Sequence, residues 1–340
     1  MLLFSILFFI LGLILLIKST DIFVVHSSKI AKRLGVSEFF IGLTLVAIGT
    51  SLPELAASII GTLSGNSGVA IGSIIGSNIT NLTLVIGIAA TTNILKTSEK
   101  TYKRDGKILL SSSVMVLVMS LFGNLNVFSG IIMLFIYFSY ITYVFKTRNN
   151  PTHKMQLRNF VDHMLHLGYM PKFSNFYKIT FKRKFRNKRK LLKEISILVL
   201  SAFTIMLSAK WLMNGASDIA SFFGIPQTVI GLSLVSLGTS LPEISVTIAA
   251  ARKGYSELMI GNIIGSNISN LLLVLGISSI INPIRITDIT LYFTMPLMIV
   301  ITYVFLRYSK NNWQINKYEG ISLMGLYANF IFWLFMFNQF

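Results

Sequence analysis

Two glutamates are the only acids well inside the long apolar segments of this 340-residue chain. Glu54 and Glu243 each end the same hexapeptide, Gly-Thr-Ser-Leu-Pro-Glu. Because a carboxylate is costly to remove from water, an acid in such a position indicates a functional site by default. The alternative is a protonated pair that only packs two helices together. The oxygen-rich faces around both glutamates disfavour that alternative.

Each glutamate shares a helical face with neutral oxygen atoms. Thr50 precedes Glu54 by four residues and Ala47 precedes Thr50 by three. At these spacings a carbonyl, a hydroxyl and a carboxylate stack on one side of a helix. The second copy of this face consists of Ser236, Thr239 and Glu243.

A further polar face follows in the next apolar segment of each copy. Ser77 and Asn81 are four residues apart, as are Ser266 and Asn270. Pooled, these hydroxyls, amides, carbonyls and carboxylates are hard oxygen donors, which suit Ca²⁺ and Na⁺ and suit Zn²⁺ or Cu²⁺ poorly. The chain has no cysteine to supply a thiolate. The sequence therefore predicts a site for a hard cation.

Prolines interrupt the two segments that carry the glutamates. Pro53 and Pro242 have no N–H, so the carbonyls of Gly49 and Gly238 lose their helical partner and each helix kinks. Exposed backbone at membrane depth is tolerated only where protein or a wet cavity satisfies it. A kinked helix beside a carboxylate therefore favours an ion site.

The composition identifies the elements that must position these groups. The chain is 53% hydrophobic and 12% charged, about half of the roughly 25% charge typical of soluble proteins. A mean hydropathy of +0.71 leaves too few polar residues to cover soluble surfaces. Without cysteine there is also no disulfide scaffold. The chain is predicted to be an all-α polytopic membrane protein.

Ten segments approach the roughly 20 apolar residues that cross a bilayer. They are residues 2–17, 39–63, 69–90, 108–121, 127–145, 195–212, 227–250, 258–281, 289–306 and 320–337. These bounds define a first five-helix unit (1–145), a basic loop (146–194) and a second five-helix unit (195–340).

The net charge of +18 is concentrated in the loops. The 146–194 segment holds 14 of the 30 basic residues, and with ten spans every net-basic loop falls on one side. This bias sets membrane orientation and implies no nucleic-acid partner. We expect the basic loop in the cytoplasm and both termini outside.

The polar motifs belong to an internal repeat. Residues 42–87 recur as 231–276 at a constant offset of 189, without a gap. The first copy enters the membrane from the basic face and the second from the neutral face. The two five-helix halves are therefore predicted to be inverted repeats, and transporters of this design bind substrates near the midplane between the repeats.

The duplicated GTSLPE and GSNIxN motifs resemble the alpha repeats of the cation/calcium antiporter superfamily, in its sodium/calcium exchanger branch. The resemblance implies exchange of several Na⁺ for one Ca²⁺ by alternating access at a site built by spans 2, 3, 7 and 8. It implies that Glu54, Glu243, Thr50 and Thr239 hold calcium. It implies sodium ligands at Ala47, Ser51, Ser77, Ser236, Ser240 and Ser266, with Ala47 and Ser236 acting through backbone carbonyls.

One position departs from many relatives, which carry an aspartate where this chain has Asn270. With Asn81 and Asn270 both neutral, the cluster has a formal charge of −2 instead of −3. That difference argues against potassium co-transport. We expect no cofactor, because Ca²⁺ and Na⁺ are transported substrates.

Three other function classes remain open on the sequence. A proton-coupled calcium antiporter would use the same glutamates as proton carriers, although such exchangers usually carry a GNAxE-type motif that this chain lacks. A cation channel could also use two acid-bearing repeats. A membrane-embedded enzyme is the weakest alternative, because no nucleophile–base pair falls in the spans.

The basic loop is expected to lie on anionic lipid. Aromatic residues recur every three or four positions between residues 173 and 185, with Lys and Arg between them, as in an interfacial amphipathic helix. A regulatory segment is the functional alternative. With no large regulatory insert, the chain is expected to be a prokaryotic plasma-membrane protein, and it is expected to act as a monomer.

Overall fold

The computed structural model describes residues 2–63, 67–147, 160–161, 164, 188–222 and 236–337. These residues are mostly helical, as predicted, with four two-residue strands. The start of the predicted span 227–250 and the predicted amphipathic helix at 173–185 lie outside the described residues.

The described part of the first half, up to residue 147, consists of eight helices and two strands, with three π-helical turns between them. In order they are α1 (Leu2–Leu34), α2 (Glu38–Ile41), a π-turn (Gly42–Val46), α3 (Ala47–Thr50), α4 (Leu52–Leu63), α5 (Ser67–Thr80), a π-turn (Asn81–Val85), α6 (Ile86–Thr92), β1 (Leu95–Lys96), a π-turn (Thr101–Gly106), α7 (Lys107–Ser120), β2 (Asn124–Leu125) and α8 (Val127–Thr147).

The described part of the second half repeats this order. It consists of α9 (Lys188–Phe222), α10 (Ser236–Thr239), α11 (Leu241–Arg252), α12 (Ser256–Ser269), a π-turn (Asn270–Val274), α13 (Leu275–Ile281), β3 (Ile284–Arg285), a π-turn (Thr290–Thr294), α14 (Met295–Lys310), β4 (Gln314–Ile315) and α15 (Lys317–Phe337).

Equivalent positions of the two halves make reciprocal contacts beyond the sequence motifs. The amide of Asn93 donates to the carbonyl of Ala251 at 2.7 Å, and its equivalent Asn282 donates to the carbonyl of Thr62 at 2.9 Å. The strands also pair reciprocally between the halves: β1 pairs with β4 and β2 pairs with β3, both antiparallel. Each half therefore closes on the other through equivalent contacts.

Helices α1 and α9 are longer than the predicted spans 2–17 and 195–212. In α1 several polar residues after Ile17 have partners inside the protein. Thr20 donates to the carbonyl of Leu16 at 2.8 Å, and Arg33 pairs with Glu194 of α9 at 3.0 Å. Hydropathy falls at these residues, but the helix continues because packing against α9 replaces the lipid. Helix α9 begins inside the segment predicted as the basic loop.

The break predicted at Pro53 is present. Helix α3 ends at Thr50, Ser51 forms a turn, and α4 leaves at an angle of 40° to the preceding helices. In the second half, α11 begins with Pro242 in its first turn, directly after the turn residue Ser240. Both glutamates therefore lie in the first turn of a helix that starts inside the protein.

Helix α12 forms the centre of the molecule, and every residue from Leu258 to Ser269 is buried. Glycines allow the close approach of its neighbours. A Cβ on Gly42 would lie 2.2 Å from the carbonyl oxygen of Leu258, and one on Gly265 would lie 2.4 Å from that of Leu43. The helices can only pack this tightly without side chains at these positions.

Six of the described helices are long and apolar enough to cross a membrane, or seven if the bent pair Glu38–Thr50 and Leu52–Leu63 counts as one span. The membrane-protein prediction is thus supported by the helices themselves. The number of ten spans stays a prediction.

Equivalent glycines in the two repeats should respond differently to alanine. A Cβ on Gly261 would lie 2.4 Å from the carbonyl oxygen of Phe39, whereas no atom of the described residues lies within 4 Å of one on Gly72. We expect Gly261→Ala to destabilise the protein by about 1–3 kcal/mol through overpacking, and Gly72→Ala to be nearly neutral. The apparent melting temperature in detergent measures both, and equal shifts would contradict this packing.

Candidate ion-binding site

The two predicted carboxylates are completely enclosed in the protein. Glu54 is 1% exposed and Glu243 is 0% exposed. None of their four carboxylate oxygens makes a hydrogen bond of normal geometry among the described residues, although the hydroxyls of Ser77 and Thr50 lie close to Glu54 and Glu243, respectively, and the two carboxyl groups are close enough to interact electrostatically. Their position in the first turn of α4 and α11 places them where the helix dipole favours negative charge. Neither glutamate forms an ion pair with a basic side chain of the described residues.

Hydroxyl groups from both repeats meet beside these carboxylates. Ser77 of α5 lies 3.4 Å from the Thr239 hydroxyl and accepts a hydrogen bond from Ser240 at 3.1 Å. The Ser51 hydroxyl is buried without a partner among the described residues. Four of the predicted hydroxyl ligands therefore lie around the broken helices, as the repeat arrangement requires.

Thr50 divides its single hydroxyl proton between two acceptors. Its oxygen lies 3.3 Å from the carbonyl of Ala47 and 3.3 Å from the amide oxygen of Asn262. The Ala47 carbonyl also accepts the Ser51 N–H at 3.0 Å. When Thr50 donates to Asn262, the Ala47 carbonyl keeps a lone pair for another partner, as a sodium ligand would need.

The predicted amide ligands begin the π-helical turns. Asn81 opens the turn Asn81–Val85, which packs against α11, and Asn270 opens the turn Asn270–Val274, which packs against α4. Both amides are 0% exposed, and neither amide oxygen has a partner among the described residues. π-Helical turns inside α-helices are frequent at functional sites because they displace the ladder of backbone hydrogen bonds.

Two further predicted ligands, Ser266 and Ser236, add little evidence for the ion site. Ser266 is buried, but its hydroxyl donates to the carbonyl of Ile263 in its own helix at 3.2 Å. Ser236 begins α10, and its side chain lies outside what the structure describes.

Three buried asparagines near the site were not predicted as ligands. They are Asn78, Asn262 and Asn267. Asn78 and Asn267 are the asparagines in the repeated Gly-Ser-Asn motif, so the duplication already marked them. Asn262 has Ser73 as its equivalent, so its contact with Thr50 could only be found in the tertiary structure.

A cavity of about 210 Å³ reaches the break in both glutamate helices. Among its lining residues are Pro53, Thr239, Pro242 and Lys210. No group of three or more His, Cys, Asp or Glu side chains that could hold a metal occurs within the described ranges. The buried donors are thus two carboxylates and neutral oxygens, a set that suits a hard cation and suits a transition metal poorly.

Comparisons with known sequences agree with this chemistry. The profile of the family described as "Sodium/calcium exchanger protein" matches residues 4–146 and 193–336. The sodium/calcium exchanger MaX1 of Methanosarcina acetivorans is 38% identical over 340 residues, covering 96% of this chain and 97% of that protein. The inner membrane protein YrbG of Escherichia coli is 29% identical over 330 residues, covering 96% of this chain and 94% of that protein.

Solved structures give the same result for the fold. The sodium-calcium exchanger NCX_Mj soaked with 2.5 mM Na⁺ and 10 mM Sr²⁺ superposes with a TM-score of 0.80 at 26% identity, covering 97% of this chain and 99% of that chain. The same exchanger soaked with 2.5 mM Na⁺ and 0.1 mM Ca²⁺ also gives a TM-score of 0.80. The predicted resemblance and the membrane-transporter fold are thereby confirmed.

Calcium should stabilise the protein through the buried carboxylates. A ligand present at a hundred times its Kd adds about 2.7 kcal/mol to the free energy of unfolding. We expect Ca²⁺ to raise the melting temperature of the wild type and to lose this effect in Glu243→Gln. Without divalent cations Glu243→Gln should melt at or above the wild-type temperature, because one unpaired buried charge is gone.

The matched control for this measurement is Glu257→Gln, which removes an exposed glutamate from the same half of the chain. It should keep the full stabilisation by calcium. A Glu243→Gln variant that is stabilised as strongly as the wild type would place the calcium site elsewhere.

Proposed function

The chain belongs to the sodium/calcium exchanger family, and on that premise we propose that it exchanges Na⁺ for Ca²⁺ at the site around Glu54 and Glu243. The observation that carries the proposal is the pair of buried carboxylates from equivalent positions of the two repeats, which make no hydrogen bond of normal geometry among the described residues. Such a pair must be compensated by cations or protons from solution. The membrane-spanning helices around it supply no basic side chain that hydrogen-bonds to either carboxylate within the described part of the chain.

The proposed ligands fall into two groups. The two carboxylates with Thr50 and Thr239 would hold Ca²⁺, which takes roughly 6–8 oxygens in a flexible shell. The remaining groups would complete this shell or form sodium sites. They are Ala47, Ser51, Ser77, Asn81, Ser236, Ser240, Ser266 and Asn270.

Electrostatics explains why such a site would exchange ions without leaking. A cluster with charge −2 is neutralised by one Ca²⁺ or by two Na⁺, and nearly so by three Na⁺. Either loaded state can therefore rearrange within a medium of low dielectric constant. An empty site would carry two uncompensated charges through the rearrangement, which is strongly unfavourable. Alternating access then couples the two fluxes.

The site would be built by predicted spans 2, 3, 7 and 8, which contribute α3–α4, α5, α10–α11 and α12. These helices come from both inverted repeats and meet at the breaks before Pro53 and Pro242. In transporters with inverted repeats, substrate sites lie near the midplane at discontinuous helices. The buried hydroxyls and amides at these breaks support that location.

Strand pairing supports the predicted orientation. Strands β1 and β4 join the loops after predicted spans 3 and 9, both net basic, and β2 and β3 join the loops after spans 4 and 8. The basic loops after spans 1, 3 and 7 meet at a surface cavity of about 980 Å³, with Lys96, Lys100 and Arg252 among its lining residues. We place this face in the cytoplasm, with the 146–194 loop on its lipid surface and both termini outside.

Calcium uptake driven by a sodium gradient tests the proposal. Proteoliposomes loaded with Na⁺ and diluted into Na⁺-free buffer should accumulate ⁴⁵Ca²⁺, and vesicles with equal Na⁺ on both sides should not. Glu54→Gln should reduce uptake at least about ten-fold, because it halves the negative charge that attracts calcium. Glutamine has nearly the same volume as glutamate, so the variant should still fold.

The control variant is again Glu257→Gln, which should transport as the wild type does. Uptake that ignores Na⁺ but follows an imposed pH gradient would move the protein to proton-coupled exchange. Flux that needs no counter-ion would indicate a channel. Wild-type uptake by Glu54→Gln would overturn the assignment of the site.

A further inference from the structure

Two asparagine amides form a chain of hydrogen bonds from one repeat to the other. The amide nitrogen of Asn78 donates to the backbone carbonyl of Asn267 at 3.3 Å. The amide nitrogen of Asn270 donates to the amide oxygen of Asn78 at 3.1 Å. All three residues are at most 1% exposed, so no water competes for these bonds.

The backbone carbonyl sets the direction of the whole chain. A carbonyl oxygen can only accept a hydrogen bond, so the side of Asn78 that faces Asn267 must be its NH₂ group. The oxygen of Asn78 is then the atom that faces Asn270. Because that oxygen can only accept as well, Asn270 must present its own NH₂ group to Asn78.

This order leaves the amide oxygen of Asn270 for another partner. The oxygen is buried and has no donor among the described residues. Asn270 opens the π-helical turn that packs against α4, the helix of Glu54. A buried acceptor without a donor is unfavourable, and a cation beside Glu54 would satisfy it.

Within the described residues, the counterparts Asn267 and Asn81 do not form the equivalent pair of bonds. Asn267, the counterpart of Asn78, turns its amide nitrogen to the carbonyl of Ile263 in its own helix at 2.7 Å. Neither the nitrogen nor the oxygen of Asn81 has a partner within the described residues. The orientation of Asn270 is therefore determined by its neighbours, and that of Asn81 is not.

We propose that Asn78 is a positioning residue that holds the amide oxygen of Asn270 toward the bound ion, an inference that rests on the proposed exchange site. Asn78 itself donates away from the ion and acts only through Asn270. The neutral Asn270 thereby becomes an oriented oxygen ligand, although an amide offers one oxygen where a carboxylate offers two. The site then contains one amide oriented by a hydrogen bond and one, that of Asn81, without a hydrogen-bond partner among the described residues.

Equilibrium Ca²⁺ binding to the purified protein in detergent tests this inference. The variants are Asn78→Leu, Asn270→Ala and the two combined. We expect Asn78→Leu to weaken the Kd for Ca²⁺ about 10-fold, as loss of a group that orients a metal ligand usually does. In the Asn270→Ala background the second substitution should change the Kd no further, because the group that Asn78 orients is absent.

A matched control separates orientation from folding. Asn93 makes the same kind of bond, from a side-chain amide to the backbone carbonyl of Ala251 in the other repeat, but at the edge of the cavity on the basic face. Asn93→Leu should leave the Kd unchanged. If Asn78→Leu does not yield a monodisperse protein, Asn78→Ala removes the same two bonds without adding branched bulk.

The outcomes distinguish this inference from the proposed function. A wild-type Kd in Asn78→Leu, or effects of Asn78→Leu and Asn270→Ala that multiply in the double variant, would overturn the positioning role even if the wild type exchanges ions. A wild type that binds Ca²⁺ but shows no sodium-driven uptake would overturn the exchange proposal alone. A wild type that binds no Ca²⁺ in the absence of Na⁺ would overturn both.

Discussion

The structure depends on one constraint, which is that two carboxylates buried in a medium of low dielectric constant cannot remain without a counter-charge. Glu54 and Glu243 are fully enclosed, and no hydrogen bond of normal geometry from the described residues offsets them. In most proteins such an arrangement would be removed by selection or paired with arginine or lysine. In the proposed exchange site the compensating charge comes from solution, so the energetic cost of an empty site would favour cation binding and disfavour the crossing of an unloaded site.

The other features of the fold serve this constraint. The helix breaks at Ser51 and Ser240 place both glutamates in the first turn of a helix, where the macrodipole partly offsets their charge. The glycines that contact Leu258 and Leu43 bring α12 so close to the first repeat that lipid and bulk water are excluded. Antiparallel strands at both faces and equivalent asparagine bonds then hold the two halves together around the site.

The symmetry of the fold is incomplete where the site is most specific. Asn262 shares the Thr50 proton, and its equivalent is Ser73, which has a shorter side chain. Asn78 accepts a hydrogen bond from Asn270, whereas Asn267 bonds to its own helix. Two repeats with nearly identical motifs thus present different sets of oriented oxygens. In the proposed site such a difference would offer distinct positions to a divalent and to a monovalent cation.

The membrane class, the repeat, the broken helices and the two carboxylates could be predicted from the amino-acid sequence. These follow from local composition, a constant offset and proline chemistry, which need no knowledge of distant contacts. The lengths of α1 and α9 could not be predicted in this way, because contacts between the two helices, and not hydropathy, stabilise their polar ends. The tertiary structure also decided which hydroxyls and amides are paired across the repeats. Hydrogen-bond direction depends on the atoms that face a group in space, and residues such as Asn78 and Asn267, 189 positions apart, carry no local signal of that meeting.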